Sequence, residues 1–339
     1  MLKKTTTTFS SQWITVAVIL SICTGTLWYL NNNEQLIHRA TSYFNSLSTE
    51  NLIFSISIAI ITFTIEIPIL GWKNSSVYKL LNPDISALTD LLFWIVYTLQ
   101  LGFIILFIFS LGTVSLVKDF LHPIFDYELL SYIPNPLLQL IFYMLVYDFI
   151  LYWYHRICHE IQFLWDIHKY HHAATDFLLI TGIRVHPVEK TIHYFITIVP
   201  LAILGAPLET FVAIHVIRMF IDRMQHSMVD WNYGWVGDWL IYSPVGHRIH
   251  HSMEREHWDK NYGDIFVFWD RIFGTYYKGN TINTEIGVTD NHYNKHIISD
   301  LINPMLLSWQ SFKEGLGKSV WKSKHLRAGY SEEKPADNQ

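Results

Sequence analysis

Hydrophobic residues in this chain gather into long runs separated by short polar stretches. A helix needs roughly 20 mostly apolar residues to cross a bilayer, and four runs have that length: Trp13–Leu30, Leu52–Leu70, Leu91–Val117 and Leu137–Tyr154. A fifth apolar stretch, Thr191–Ile221, is broken by Pro200, Gly205 and Pro207. Those breakers favour a helical hairpin that enters and leaves the membrane over one span with an interfacial helix. Residues 31–50 and 71–90 read as polar connectors with short amphipathic pieces, and the polar tail beyond Tyr330 reads as disordered. Neither alternating strand patterns nor an internal repeat stands out. The expected fold is therefore an all-α integral membrane helical bundle of about four spans plus a membrane hairpin.

Placement of basic residues predicts the orientation. Lys3, Lys4, Lys73 and Lys79 fall on one side of the bundle, with Arg39 and Lys118 on the other. An excess of lysine and arginine marks the cytosolic side, so the fourth run leaves the membrane toward the cytosol at Tyr154. Residues 155–189 then form a cytosolic helical cap, joined by the carboxy-terminal part with Lys318, Lys322, Lys324 and Arg327. The first run is too long for a secretory signal core, and Trp28, Tyr29 and Leu30 stand where small residues would mark cleavage, so it reads as an uncleaved anchor.

Composition agrees with a membrane protein: half of the residues are hydrophobic and only 16% are charged, below the ~25% of ordinary soluble domains. A net charge of −5 without a clustered basic face excludes nucleic acid as a partner. Cys23 and Cys158 are too few for a disulfide framework and too far apart for a CxxC site. No GxGxxG motif is present for a dinucleotide, and Gly315–Ser319 imitates a phosphate-binding loop while lacking its first glycine, since Phe312 stands there.

The chain has 18 histidines, and many of them crowd between 155 and 257. Three clusters stand out: His155-x-x-x-His159, His168-x-x-His171-His172 and His247-x-x-His250-His251. Residues three and four apart share one helical face, so each cluster aims its imidazoles in one direction, and the spacing predicts that all three converge on a single spot. One such pair after a membrane span is commonly an interfacial surface feature. Three in succession are not. Eight imidazoles exceed what one four-coordinate zinc uses and suit two metals; imidazole binds iron, zinc and copper alike.

The order HxxxH, HxxHH, HxxHH resembles the membrane fatty acid hydroxylase/sterol desaturase superfamily. Arg184-Val-His186-Pro187-Val-Glu189, Gln225-His226-Ser227, Asn261-Tyr262-Gly263 and Trp269-Asp270-Arg271-Ile-Phe273-Gly274-Thr275 are similar to further elements of it. The resemblance covers roughly 140–280 and divides the chain into membrane spans at 1–136, a catalytic domain at 137–280 and a cytosolic extension at 281–339. It implies an O2-dependent oxidoreductase with two Fe ions (zinc as a possible substitute), which hydroxylates or desaturates a lipid or cleaves an ether. The metal ligands carried over are His155, His159, His168, His171, His172, His226, His247, His250 and His251. His186 is implied as a neighbour of the site or an alternate ligand. Arg184 and Glu189 are implied to orient rings or to pair with each other, and Asn261, with Asp264 and Asp270, to be supports or structural turns. His193, His215, His257, His292 and His296 match no position of the pattern.

Trp153, Tyr154, Trp165, Phe177, Trp231, Trp235 and Trp239 are candidates for lining an apolar channel or forming an interfacial belt, and Glu66 is an ionisable residue within a span. Without a fused cytochrome b5 domain, electrons are expected from a separate donor, a cytochrome b5- or ferredoxin-type reductase system. The membrane is that of the endoplasmic reticulum or a bacterial inner membrane. Two other classes compete. A zinc-dependent membrane hydrolase would show HExxH, but Arg156 holds the glutamate position; Glu254–His257 has ExxH spacing without a partner. A metal transporter or sensor would need polar ligands within the spans.

Overall fold

A computed structural model describes residues 53, 56–98, 133–206, 208–279, 285–289 and 293–315. The expected first span Trp13–Leu30, most of Leu91–Val117, Cys23, Arg39, Lys118, His292 and the tail lie outside these residues. Among the described residues every named element is helical, with two isolated β-bridges, Ile241 with Phe266 and Ser252 with Ile286.

Two apolar helices, α1 (Ile56–Leu70) and α3 (Ile85–Thr98), flank the short α2 (Ser76–Leu81). The region read as a polar connector at 71–90 thus holds α2 and the first turn of α3. Ser75 starts α2 by accepting a hydrogen bond from the Tyr78 amide, a common N-cap device. Next comes α4 (Pro136–Glu160), which begins at Asn135, whose side chain accepts from the amides of Leu137 and Leu138, with proline in the first turn. Its 25 residues make a rod about 37 Å long. Among the described residues it is the one helix long and apolar enough to cross a membrane. It contains the expected Leu137–Tyr154 run and continues without a break through His155 and His159.

Ile161 adopts an extended conformation and separates α4 from α5 (Gln162–His172). The broken apolar stretch forms two helices, α6 (Pro187–Ile203) and α7 (Leu208–Gln225), with Gly205 at φ 78° between them. Both pack on α4, around a core of Tyr143, Leu201 and Ile214. The remaining helices are α8 (Trp235–Trp239), α9 (Pro244–His250), α10 (Phe268–Ile272) and α11 (Ile297–Gly315). α9 packs on α7, and α11 lies along α5. Ser311 donates to Asp166 at 2.6 Å, and Asn294 donates to the Ala173 carbonyl at 2.7 Å. The segment beyond 280 therefore packs directly on the helix that carries the second histidine cluster.

Buried polar links tie the front of the chain to this unit. Glu66, fully buried, accepts from the Ser76 amide at 2.7 Å, from its hydroxyl at 2.9 Å and from the Ser227 hydroxyl at 3.3 Å. The Ser76 hydroxyl also accepts from the Leu179 amide at 3.0 Å, and Lys79 pairs with Asp176. Glu66 thus serves as a tie between α1, α2 and the segment after α7. The outer face of α4 instead shows Leu137, Leu138, Ile141 and Phe149.

Candidate metal centre

Four helices bring histidines to one end of the bundle: His155 and His159 from the last turns of α4, His168, His171 and His172 from α5, His226 just past α7, and His247, His250 and His251 from α9 and its end. The Ser243 hydroxyl starts α9 by accepting from the Gly246 amide, with Pro244 at the first position. All nine histidines implied as ligands come together, in two adjoining groups rather than around one spot. His155, His159, His168, His172 and His250 form one; His171, His226, His247 and His251 form the other. Within each group the candidate ligand nitrogens lie within 4.8 Å of one another.

Helix geometry explains the division. Neighbouring residues on a helix point about 100° apart, so the two histidines of an HH pair cannot serve one site. His168 and His172, four apart, face the first group while His171 faces the second. The third cluster is reversed: His247 and His251 face the second group while His250 crosses to the first. The groups share a wall, with His172 and His251 stacked at a centroid distance of 4.1 Å.

The rings are held from outside by their Nδ1 atoms. Nδ1–H of His155 donates to the Tyr262 carbonyl at 2.8 Å, that of His226 to the Asp222 carbonyl at 2.8 Å, and that of His250 to the Lys260 carbonyl at 2.8 Å. His168 donates to Glu189 Oε1 at 2.6 Å, and His171 to the Arg184 carbonyl at 3.3 Å. An acceptor at Nδ1 leaves the Nε2 lone pair for a metal, an arrangement common around metal-binding histidines.

The inner nitrogens fit that role. Nε2 of His172 stands 3.1 Å from that of His159 and 3.2 Å from that of His168, and Nε2 of His226 stands 3.4 Å from that of His171 and 3.1 Å from that of His247. With a metal–nitrogen bond of about 2.1 Å, ligands at right angles sit roughly 3.0 Å apart and tetrahedral ones roughly 3.4 Å apart. Nε2 of His155 and of His250, and both nitrogens of His251, are buried without a hydrogen-bond partner, a costly condition that a bound metal relieves. Burial first, then neighbouring imidazoles, holds His171, His172, His247 and His251 well below the ordinary histidine range. Burial also pushes His250 down to about 3 against its bond to Lys260. These rings are therefore neutral at pH 7, the form that ligates metal.

The other implied residues divide. Glu189 orients His168. Arg184 holds His171 through its backbone carbonyl, while its buried guanidinium pairs with Asp90, the Ser86 hydroxyl, Asn294 and the Tyr170 carbonyl; its ionic partner is Asp90, not Glu189. His186 stands apart from both groups. Its Nε2–H donates to the Leu301 carbonyl of α11 at 2.9 Å, and its Nδ1 accepts from the Val188 amide, so both nitrogens are used structurally.

Asn261, at φ 59°, donates to the Gly246 and Tyr277 carbonyls and accepts from the Tyr277 amide, which staples α9 to the following loop. Asp264 forms a two-pronged pair with Arg218 at 2.7 and 3.0 Å. Asp270 accepts four bonds, from the amides of Tyr262 and Gly263 and the hydroxyls of Tyr242 and Thr275. It thereby fixes the peptide whose carbonyl orients His155.

Of the candidate channel aromatics, two adjoin the histidines. Trp165 lies 4.8 Å from the His159 ring and Phe177 lies 4.9 Å from that of His251. Tyr154 donates to the Glu189 carbonyl, Trp153 packs on Phe273, and Trp231, Trp235 and Trp239 are exposed. His257 bonds to Ser252, its exposed neighbours Glu254 and Glu256 lying outside both groups. Asp148, a supporting residue the motif pattern does not include, is buried within α4 and accepts from the amides of Ile265 and Phe266. An ionisable residue inside an apolar span was the available signal.

Comparison with known proteins bears on the same region. Residues 140–275 match the family model described as fatty acid hydroxylase. The chain is 32% identical over 181 residues to ornithine lipid hydroxylase OlsE of Rhizobium tropici, covering 53% of this chain and 54% of that one. It is 34% identical over 130 residues to human alkylglycerol monooxygenase (38% and 28%), and 31% identical over 140 residues to methylsterol monooxygenase 2-2 of Arabidopsis thaliana (40% and 52%). The match thus spans about half or less of the length of these relatives. No solved structure matches.

Proposed function

We propose that this chain, whose residues 140–275 match the fatty acid hydroxylase model, belongs to that family and is a membrane-bound, O2-dependent lipid oxygenase working at a histidine-held pair of irons. One observation carries this reading: two adjoining all-imidazole groups, with ring nitrogens turned inward at ligand spacing. When bound, two irons would supply the activation of O2 needed to attack an unactivated C–H bond.

The chain's own residues supply the setting. His155, His159, His168, His172 and His250 would hold one ion, and His171, His226, His247 and His251 would hold the other. Glu189 and the carbonyls of Tyr262, Arg184, Asp222 and Lys260 keep the rings in the ligating tautomer. Trp165 and Phe177 exclude water beside the two groups, which protects an oxidising site from side reactions. α4 joins this site to the bilayer: its apolar outer face meets lipid, and its last turns carry His155 and His159 at the cytosolic rim. A lipid chain reaches the site from the membrane side. Inserting one oxygen atom of O2 and reducing the other to water takes two electrons, which a separate cytochrome b5- or ferredoxin-type carrier delivers at the cytosolic face, and two protons, which come from water. The names of the relatives support a lipid substrate, either an acyl, sterol or ether lipid.

A zinc-dependent membrane hydrolase is the second reading, because an all-imidazole set also suits zinc. Metal analysis of the detergent-purified protein separates the two. Two irons per chain with O2-dependent lipid turnover is the expected result. Zinc with O2-independent ester or amide cleavage would overturn it, and vesicle metal uptake without turnover would point to a transporter. Comparing the lipids of a deletion strain with wild type then identifies the substrate.

A further inference from the structure

Among the described residues three arginines are fully buried, and two have partners. Arg184 is paired as described above, and Arg248 donates to Asp230 and to the carbonyls of Val229 and Ser227. Arg223, in the last turn of α7, is 1% exposed, yet none of its three guanidinium nitrogens has a hydrogen-bond partner. Its charged or ionisable neighbours are Asp222 and Tyr97. The Asp222 carboxylate is turned elsewhere: it lies 3.5 Å from His226 Nδ1, and it closes over Gly182, where a side chain would collide with it.

Tyr97 also borders a second cation. Lys190 of α6 holds its ammonium over the rings of Tyr97 and Tyr194, 5.2 and 5.5 Å from their centroids, and forms no ion pair among the described residues. Arg218, nearby on α7, is already neutralised by Asp264. Trp94 Nε1, one turn before Tyr97 on α3, Thr98 Oγ1, next to it, and His193 Nδ1 on α6 are also buried without partners. A buried guanidinium that no carboxylate hydrogen-bonds is a severe cost to a fold, and unmatched buried polar groups call for an explanation.

We propose that Arg223, assisted by Lys190 beside Tyr97, receives the anionic group of the substrate lipid, a carboxylate or a phosphate. The inference rests on the lipid-oxygenase reading for the identity of the ligand. The planar fork of arginine matches both anions. Arg223 and His226 are three residues apart at the end of one helix, a rise of about 4.5 Å, so the anion would bind one turn from the second histidine group. A lipid held there by its head presents carbons near the head, not the end of its tail, to the metals.

The test uses the full-length protein in a neutral maltoside detergent, with binding followed by tryptophan fluorescence and no turnover required. N-oleoylglycine supplies the carboxylate, oleoyl lysophosphatidic acid the phosphate and monooleoylglycerol the neutral control. Wild type is expected to bind at least one anionic probe at least tenfold more tightly than the neutral one, and which one identifies the anion. R223M is expected to lose that preference, keep the neutral binding and melt at a higher temperature than wild type without ligand, because the unpaired charge is gone. R223K is expected to retain part of the preference. A purely structural arginine predicts the reverse: a lower melting temperature in R223M and an unchanged preference. Equal binding of all three probes by wild type would overturn the proposal. If R223M does not accumulate, K190M is expected to weaken anionic binding at least threefold, and no change would count against the subsite. A finding of zinc and hydrolysis would remove the oxygenase reading while leaving these binding results intact.

Discussion

At the residue scale, five imidazoles divide two jobs between their nitrogens. In His155, His168, His171, His226 and His250 the outer nitrogen is spent on a carbonyl or carboxylate, so the ring cannot rotate freely and the inner lone pair is preset. Glu189 shows how much hangs on one acceptor, since it is the only carboxylate bonded to a ring nitrogen at below 3 Å among the described residues of the two groups. Replacing it by leucine is expected to weaken iron binding by about 10–100-fold, the usual cost of losing an outer partner of a ligating histidine, read by competition with a chelator. On the proposed reading His171→Ala removes a ligand, and it is expected to abolish turnover while the chain still inserts into membranes; full activity would count against the second group.

At the scale of elements, the histidine-bearing helices are short, and loops decide where they end. α9 has seven residues, too few to be stable alone, and the loop from Asn261 to Tyr277 clamps it. Asp270 is the centre of that clamp, with four donors on one buried carboxylate. Asp270→Ala would strand those donors and is expected to cost about 3 kcal/mol or more, since a buried donor left without an acceptor costs about 1–3 kcal/mol, seen as a lowered melting temperature in detergent with lost metal. Gly263 has no room for change either: a methyl there would stand 2.5 Å from the Phe266 carbonyl oxygen and from the Tyr242 ring.

Much of this was legible in the chain beforehand. α4 follows from its apolar run, and the nine histidines follow from motif spacing together with the family resemblance. Less legible were α2 and the early start of α3, which fall in a stretch too short and mixed to show a period. Asp148 is hidden for a different reason: its partners are backbone amides more than a hundred positions away, and no local pattern encodes them.

At the scale of the whole molecule, burying so many imidazoles makes stability depend on pH. In the unfolded chain a histidine titrates near about 6.5. In the fold His250 is held at about 3, and His171, His172, His247 and His251 well below the ordinary range. Between those values the unfolded chain binds more protons than the folded one, so stability falls as the pH drops below about 6.5 and is flat above it with respect to these groups. The melting temperature of the metal-free protein in detergent is expected to fall steadily from pH 6.5 toward 4; a constant value would show that the rings are not buried as neutral groups. α11 acts at this scale too, since it lies along α5 and accepts from His186. Truncation after His296 is expected to release α5 and to lower iron retention, measured per chain after purification.

Spacing along a helix is a local property, so residues 155 to 251 already dictate which rings share a face and which must diverge. That is why HxxxH and HxxHH could be read from the chain as ligand-bearing helices before any packing was known. Where those faces meet is a long-range matter. The crossing of His250 to the first group, the joining of His226 to the second, the diversion of His186 to α11 and the isolation of Arg223 all depend on how α4, α5, α7, α9 and α11 pack. One spot became two because adjacent residues on a helix point about 100° apart, and two helices set against each other can satisfy both directions only with two centres.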